Sequence, residues 1–313
     1  MVTAADHEFM AQALRLAERG LYTTTPNPRV GCVIVNDGKV VGEGWHECAG
    51  QPHAEANALQ QASAQAKGAT VYVTLEPCSH HGRTPPCAEV LIKAGVGKVI
   101  AAMQDPNPKV AGAGLALLQA QGIATECGLM QAQARELNIG FVSRMERGRP
   151  WVRLKLAASL DGKTALANGV SQWITSEPAR LDVQRWRARA CAILTGVGTV
   201  IADDPQLNVR SLDIGRQPLR IIVDSQCRTP ANAKILQDGA LIVCAKIDES
   251  NAAALRKAGA EVIALPDAQG RVDFVALLQE LAKREINELH VEAGHKLNSS
   301  STKPSVNNEL LSL

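Results

Sequence analysis

His53, Cys78 and Cys87 constrain this chain most, because one imidazole and two thiols can share a metal ion only if the fold brings separate segments to one point. His53-Ala54-Glu55 opens an alanine-rich stretch to Gln65 with no Gly or Pro, which reads as a helix with His53 and Glu55 in its first turn. The positive end of that helix favours an ionised Glu55. Ala69 to Leu75 is rich in β-branched residues and reads as a buried strand ending at Glu76-Pro77-Cys78. A helix start and a strand end must therefore meet, as they do in a layered α/β fold. Three protein ligands leave the fourth position of a tetrahedral zinc open to water, whereas a structural site usually fills all four.

An open zinc position makes hydroxide near neutral pH, and the glutamate two residues after the histidine moves protons without binding metal. This is the residue set of zinc-dependent base deaminases, in which Glu55 would carry the water's proton to departing ammonia. The usual signature has its second cysteine three positions after the first, but here Ser79 to Pro86 separate Cys78 from Cys87. The longer loop adds little closure cost. Its His80, His81, Gly82, Arg83, Thr84 and prolines offer donors on a stiffened turn for a polar or phosphorylated substrate. The competing readings are a zinc deaminase of a free nucleoside or a transfer-RNA base, and a non-catalytic zinc-stabilised binding protein.

At 313 residues, 46% of them hydrophobic, the chain has room for two globular domains. Lys and Arg number 33 against 31 Asp and Glu, and four Trp, two Tyr and three Phe leave little material for stacking bases, so a nucleic-acid platform is disfavoured. The N-terminus carries Asp6 and Glu8 where a secretory signal needs an apolar stretch, and no run reaches transmembrane length. Eight cysteines without a signal fit a reducing cytoplasm, with Cys78 and Cys87 as ligands and no disulfide assigned.

Apolar residues at helical spacing predict a helix from Asp6 to Arg19. Val30 to Val35 and Lys39 to Trp45 predict a hairpin about Asn36-Asp37-Gly38, with His46 at its open end. Beyond the candidate ligands, helix is expected over Ala88 to Ala94, strand over Lys98 to Met103, and helix over Ala113 to Gln121. Gly148 and Pro150 mark a domain boundary. A second alternating series follows, with strands at Trp151 to Ala158, Ala192 to Thr195, Arg220 to Asp224, Ala240 to Ala245, Glu261 to Leu265 and Glu288 to Glu292, and a helix capped by Ser176. Gly196-Val197-Gly198-Thr199 lacks the third glycine of a dinucleotide fingerprint and alone reads as a turn. Arg180, Arg185, Arg187 and Arg189 either meet phosphate or form a solvated helix face.

Taken together, these segments resemble the bifunctional riboflavin-biosynthesis deaminase/reductase family. The resemblance is carried by Pro26-Asn27-Pro28-Arg29-Val30-Gly31, Gly44-Trp45-His46, His53-Ala54-Glu55, the run Thr74 to Cys87, Asp105-Pro106-Asn107-Pro108, Lys155 to Gly162, Ser171 to Thr175, Ala202-Asp203-Asp204-Pro205 and Val291-Glu292-Ala293-Gly294. It implies an N-terminal cytidine-deaminase-like αβα domain over residues 1–147 and an incomplete C-terminal dihydrofolate-reductase-like α/β domain over 150–294. The first would remove an amino group from 2,5-diamino-6-ribosylamino-4(3H)-pyrimidinone 5′-phosphate, and the second would use NADPH to reduce the ribosyl unit to ribityl.

By the same matching, His53, Cys78 and Cys87 would bind one zinc per chain and Glu55 would shuttle protons. Ala157, Trp173, Thr199, Asp203 and Ser225 would line the NADPH site, with Ser171, Arg187, Leu207, Arg210 and Glu292 facing the phosphorylated substrate. Lys155 would assist near the reacting carbon. No nucleic-acid or membrane partner is implied, and a homo-oligomer is. After Gly294 the resemblance stops in a polar tail, residues 295–313, expected to be disordered until about Leu310. A truncated or frame-altered reductase domain is therefore expected, with an open sheet edge and weak NADPH oxidation beside a complete deaminase.

Overall fold

The computed structural model describes residues 2–79, 85–108, 110–159, 161–163, 174–294, 297 and 309–312. They form two compact units, Met1–Arg147 and Gly148–Leu313.

The first unit runs α1 (Ala4–Glu18), β1 (Gly31–Asn36), β2 (Lys39–Trp45), α2 (Ala54–Ala62), β3 (Thr70–Val73), α3 (Cys87–Ala94), β4 (Lys98–Ala101), α4 (Ala113–Ala120), β5 (Ala124–Cys127), α5 (Gln131–Leu137) and α6 (Ile139–Arg147). Thr3 starts α1 with a capping box, its hydroxyl accepting from Asp6 N while the Asp6 carboxylate accepts from Thr3 N. Asp37 and Gly38 take φ of 48° and 74°, the left-handed pair that a two-residue hairpin turn requires. The sheet order is β2-β1-β3-β4-β5, with β1 antiparallel to β2 and β3, and β3, β4 and β5 parallel.

Alternation along β1 feeds two cores. Cys32 and Ile34 pack with Ala54, Ala58, Leu91 and Leu118 of α2, α3 and α4, while Val33 and Val35 pack with Met10, Ala13, Tyr72 and Phe141. The unit is thus an αβα sandwich.

The helix expected over His53 to Gln65 is shorter than its alanine content implied. His53 is the N-cap of α2, and Ser63, at φ 49°, breaks the helix into a 3₁₀ turn, Ser63–Ala66.

The second unit runs β6 (Trp151–Leu156), α7 (Glu177–Arg189), β7 (Ala192–Gly196), α8 (Val197–Asp203), β8 (Leu219–Val223), β9 (Ala240–Cys244), α9 (Glu249–Lys257), β10 (Ala260–Ala264), α10 (Phe274–Lys283), β11 (Glu288–Glu292) and β12 (Glu309–Ser312). Its seven strands, in the order β10-β9-β8-β7-β11-β6-β12, pair in parallel throughout. Ser176 caps α7 by accepting from Ala179 N, with Pro178 in the first turn, as expected. One face of the sheet packs on Leu277, Leu278 and Leu281 of α10, and the other on α8 and α9 through Ile193, Ile222, Ile242, Val200 and Leu255.

Two expectations are corrected. The glycine pair after β7 begins helix α8 rather than a simple turn. The edge expected to be open is covered, because β12 pairs with β6 from Glu309↔Arg153 to Ser312↔Leu156; the polar tail thus contains a strand that its composition did not reveal.

Candidate functional site

In the first unit the metal set converges as spacing required: one ligand atom each from His53, Cys78 and Cys87 lies within 4.8 Å of the others. His53 Nδ1 is 3.2 Å from Cys87 Sγ and 3.7 Å from Cys78 Sγ. Each ligand stands at the end of an element. His53 caps α2, Cys87 is the first residue of α3, and Cys78 follows the end of β3 and accepts from Cys87 N at 3.3 Å. Gly44 lets α2 lie flush on β2, since a Cβ there would stand 2.4 Å from Ala54 O. Asn57 Nδ2 ties the same helix to Trp45 O at 2.9 Å.

The electrostatics suit a metal site. A hydrogen bond from the Cys87 thiol holds Cys78 down to about 4, against burial and with help from His53, while the same contact and burial push Cys87 up. The two sulfurs thus titrate as a coupled pair. The Cys78 contact raises His53, outweighing its burial. Glu55 is buried at 3% exposure, and that burial raises its carboxyl even though His53 pulls it down. A carboxyl raised in this way is suited to exchanging protons near neutrality. The residues fit a zinc ion: two sulfurs and one imidazole nitrogen face one point, with Glu55 beside them but outside the ligand set.

Two residues enter the site that the residue-level reading had not singled out. His46 Nδ1 lies 3.1 Å from Pro52 O and so donates to it, which leaves Nε2 to accept from Asn27 Nδ2 at 3.1 Å. Its ring stands edge-on to His53, with centroids 5.3 Å apart. The signal was the position of His46 at the open end of the hairpin, across from the Asn27 loop. His80, His81, Gly82, Arg83 and Thr84 lie outside the described residues.

In the second unit the carboxyl ends of β8, β7, β11 and β6 lie side by side, the edge where parallel sheets take ligands. Ala157 follows β6, Ser225 follows β8, Thr199 and Asp203 are on α8, and Glu292 ends β11. Ser171 and Trp173 lie outside the described residues.

Arg187 is neither solvated nor free. Its Nε and Nη2 donate to the two carboxylate oxygens of Glu292 at 2.6 and 3.0 Å, and its Nη1 donates to Asn208 O at 3.1 Å. Burial pushes the Glu292 carboxyl up, but Arg187 and His290 outweigh it and hold it well below the usual carboxylate range. Leu207 is buried in the core, and the exposed Arg210 is placed by a bond from its backbone N to Gln184 Oε1 at 3.0 Å. Arg189 donates to Glu288 at 2.7 Å, and Arg185 is exposed beside Asp182. The phosphate-binding alternative therefore does not extend to the whole arginine row.

Comparison with known proteins agrees with both halves. Residues 3–103 match the cytidine and deoxycytidylate deaminase zinc-binding region, and residues 150–311 match the RibD C-terminal domain. The riboflavin biosynthesis protein RibD of Escherichia coli K12 is 50% identical over 319 residues, covering 98% of this chain and 86% of that protein. That of Aquifex aeolicus is 43% identical, covering 97% and 85%. A solved structure of Acinetobacter baumannii RibD superposes with a TM-score of 0.90 at 49% identity, covering 98% of this chain and 86% of that one. A Thermotoga maritima structure, described as a diaminohydroxyphosphoribosylaminopyrimidine deaminase/5-amino-6-(5-phosphoribosylamino)uracil reductase, gives 0.84 at 34% identity, covering 94% and 82%. With half its residues identical to a RibD protein along nearly its whole length, this chain belongs to the RibD family of riboflavin-biosynthesis proteins.

Proposed function

We propose that residues 1–147 hydrolyse the amino group of 2,5-diamino-6-ribosylamino-4(3H)-pyrimidinone 5′-phosphate, and that residues 150–294 then reduce the ribosyl unit of the product to ribityl with NADPH. The chain is a bifunctional deaminase and reductase, with residues 295–313 carrying β12 alongside the reductase sheet. The observation that carries the deaminase reading is the meeting of His53, Cys78 and Cys87 within 4.8 Å next to the buried Glu55.

A zinc ion held by His53, Cys78 and Cys87 would supply a water acidified toward neutral pH. Glu55, whose carboxyl burial raises, would accept a proton from the attacking water and pass one to the departing ammonia, ending as it began. His46 and Asn27 present a polar wall of fixed tautomer beside the metal ligands.

In the reductase unit, Ala157, Trp173, Thr199, Asp203 and Ser225 are assigned to NADPH. The positions of the described members support this: there is open space beside Gly198, Thr199 is in the helix that follows β7, and Ser225 comes just after the carboxyl end of β8. NADPH supplies the hydride, while the protein aligns donor and acceptor. Ser171, Arg187, Leu207, Arg210 and Glu292 are assigned to the substrate, with the Arg187–Glu292 pair as the fixed charged feature of that pocket. Lys155, the register partner of Glu292, stands on the neighbouring strand.

We further place the enzyme in a reducing cytoplasm, acting as a homo-oligomer on a free phosphorylated pyrimidine rather than on nucleic acid. Eight cysteines with no disulfide among them support that compartment, and no helix among the described residues is long and apolar enough to cross a membrane.

The test supplies purified protein with the diaminopyrimidine phosphate and follows ammonia and NADPH together. Ammonia should appear with or without NADPH, and NADPH should be consumed only after deamination. Deamination of a nucleoside or a transfer RNA in preference to this substrate would establish the alternative reading.

A further inference from the structure

Glu76 lies two residues before Cys78, is buried at 3% exposure, and is not one of the converging ligands. Its carboxylate is instead filled by backbone from the segment after β4. Oε2 accepts from Asp105 N at 3.1 Å and Gly112 N at 2.9 Å, and Oε1 accepts from Gly114 N at 2.9 Å and Leu115 N at 3.3 Å. Four donors use the acceptor capacity of a carboxylate, and bonds to an ionised group are the strong kind. The Glu76 backbone is tied to the residues just beyond β4, its N donating to Met103 O at 3.0 Å.

A second contact clamps the next residue. A Cβ on Gly114 would stand 1.9 Å from Pro77 O, so only glycine allows the start of α4 to press on the peptide that leads into Cys78. On its other side Cys78 is held by α3, its carbonyl accepting from Ala88 N at 3.1 Å. The chain on the Cys78 approach is thus fixed by Glu76 and Pro77 against Asp105, Gly112, Gly114 and Leu115, the first of which opens the Asp105-Pro106-Asn107-Pro108 motif.

We infer that Glu76 is a positioning residue of the zinc site: it locks residues 105–115 onto the strand end that presents Cys78. The assignment rests on the zinc-deaminase reading of the same unit. Replacing the carboxylate by a carboxamide turns an acceptor into a donor, so two backbone N–H groups lose their partner and face another donor. The metal ligands are untouched, and what changes is how firmly Cys78 is aimed.

The experiment uses full-length Glu76→Gln and Glu76→Asp with three readouts: amide exchange in peptides spanning 105–115, zinc release to a competing chelator, and kcat and KM for ammonia formation. For Glu76→Gln, exchange across 105–115 should quicken, and zinc retention and kcat should each fall about 10–100-fold, the range for groups that orient metal ligands, with KM little changed. Glu76→Asp, which keeps the charge, should recover part of each. Unchanged exchange in Glu76→Gln overturns the inference, as does faster exchange with wild-type zinc release and kcat. If Glu76→Gln does not fold, Gly114→Ala displaces the same segment without touching the carboxylate and must give the same pattern of losses; wild-type behaviour there also overturns it. A wild-type protein with neither zinc nor ammonia release would instead sink the deaminase reading, whatever exchange in the variants shows.

Discussion

Arg187→Met breaks a buried ion pair in the second unit. The guanidinium and the Glu292 carboxylate are each only 10% exposed and meet through Nε at 2.6 Å, and removing the cation leaves a buried carboxylate. Breaking such a pair costs about 3–5 kcal/mol. For a unit of this size that corresponds to a fall of roughly 6–20 °C, at about 2–4 °C per kcal/mol.

The pH dependence follows from the sign of the Glu292 shift. Burial alone raises this carboxyl, and Arg187 with His290 reverses that to a depressed value, so in the wild type the pair's stability is fully present above the unfolded carboxyl pKa and is lost as pH falls through the depressed folded one. In Arg187→Met burial prevails over His290, whose Nε2 is 3.5 Å from Glu292 Oε1, and the carboxyl is raised. Acidification from neutral pH then relieves the variant by protonating Glu292, and its deficit narrows while the wild type stays flat.

Thermal unfolding followed by tryptophan fluorescence reads this unit, which holds Trp151, Trp173 and Trp186 among the four tryptophans. Arg187→Met/Glu292→Leu, which removes both charges, should recover most of the loss. A deficit under about 1 kcal/mol, the size of a surface pair, or one that does not change between neutral and mildly acidic pH, would refute the reasoning.

Two further outcomes follow from the first unit. Gly44→Ala, which would place a Cβ 2.4 Å from Ala54 O, should cost about 1–3 kcal/mol as overpacking and, by shifting the start of α2, speed zinc loss to a chelator; unchanged zinc retention would show that α2 is not set by this contact. Thiol labelling of the zinc-bound protein should be rapid at the exposed Cys48 and Cys127, and chelation should add Cys78 and Cys87; mass-spectrometric mapping that finds the last two modified with zinc still bound would count against their role as ligands.

Most strands were legible because their apolar runs sit between clear turn residues: the expected strands at 192–195, 220–224, 240–245 and 288–292 lie within a residue or so of β7, β8, β9 and β11. Helix α2 was placed but overextended, since alanine content predicts propensity and not the left-handed turn at Ser63. β5, with only four residues and partly exposed, carried too weak a pattern to find, and β12 is a strand by virtue of its pairing with β6 rather than its composition. In the site, His53, Glu55, Cys78 and Cys87 were readable because zinc chemistry dictates residue type and approximate spacing. The Arg187–Glu292 pair and the role of Glu76 were not, because each joins positions far apart in sequence through contacts that no local pattern encodes.

The central claim is that Glu55 moves protons beside a zinc ion held by His53, Cys78 and Cys87. Zinc content and ammonia release measured on one preparation each of wild type and Glu55→Gln test it most directly. The account predicts one zinc per chain in both proteins, with ammonia released by the wild type alone. Ammonia release by Glu55→Gln at the wild-type rate, or by a wild-type protein stripped of zinc, would contradict it.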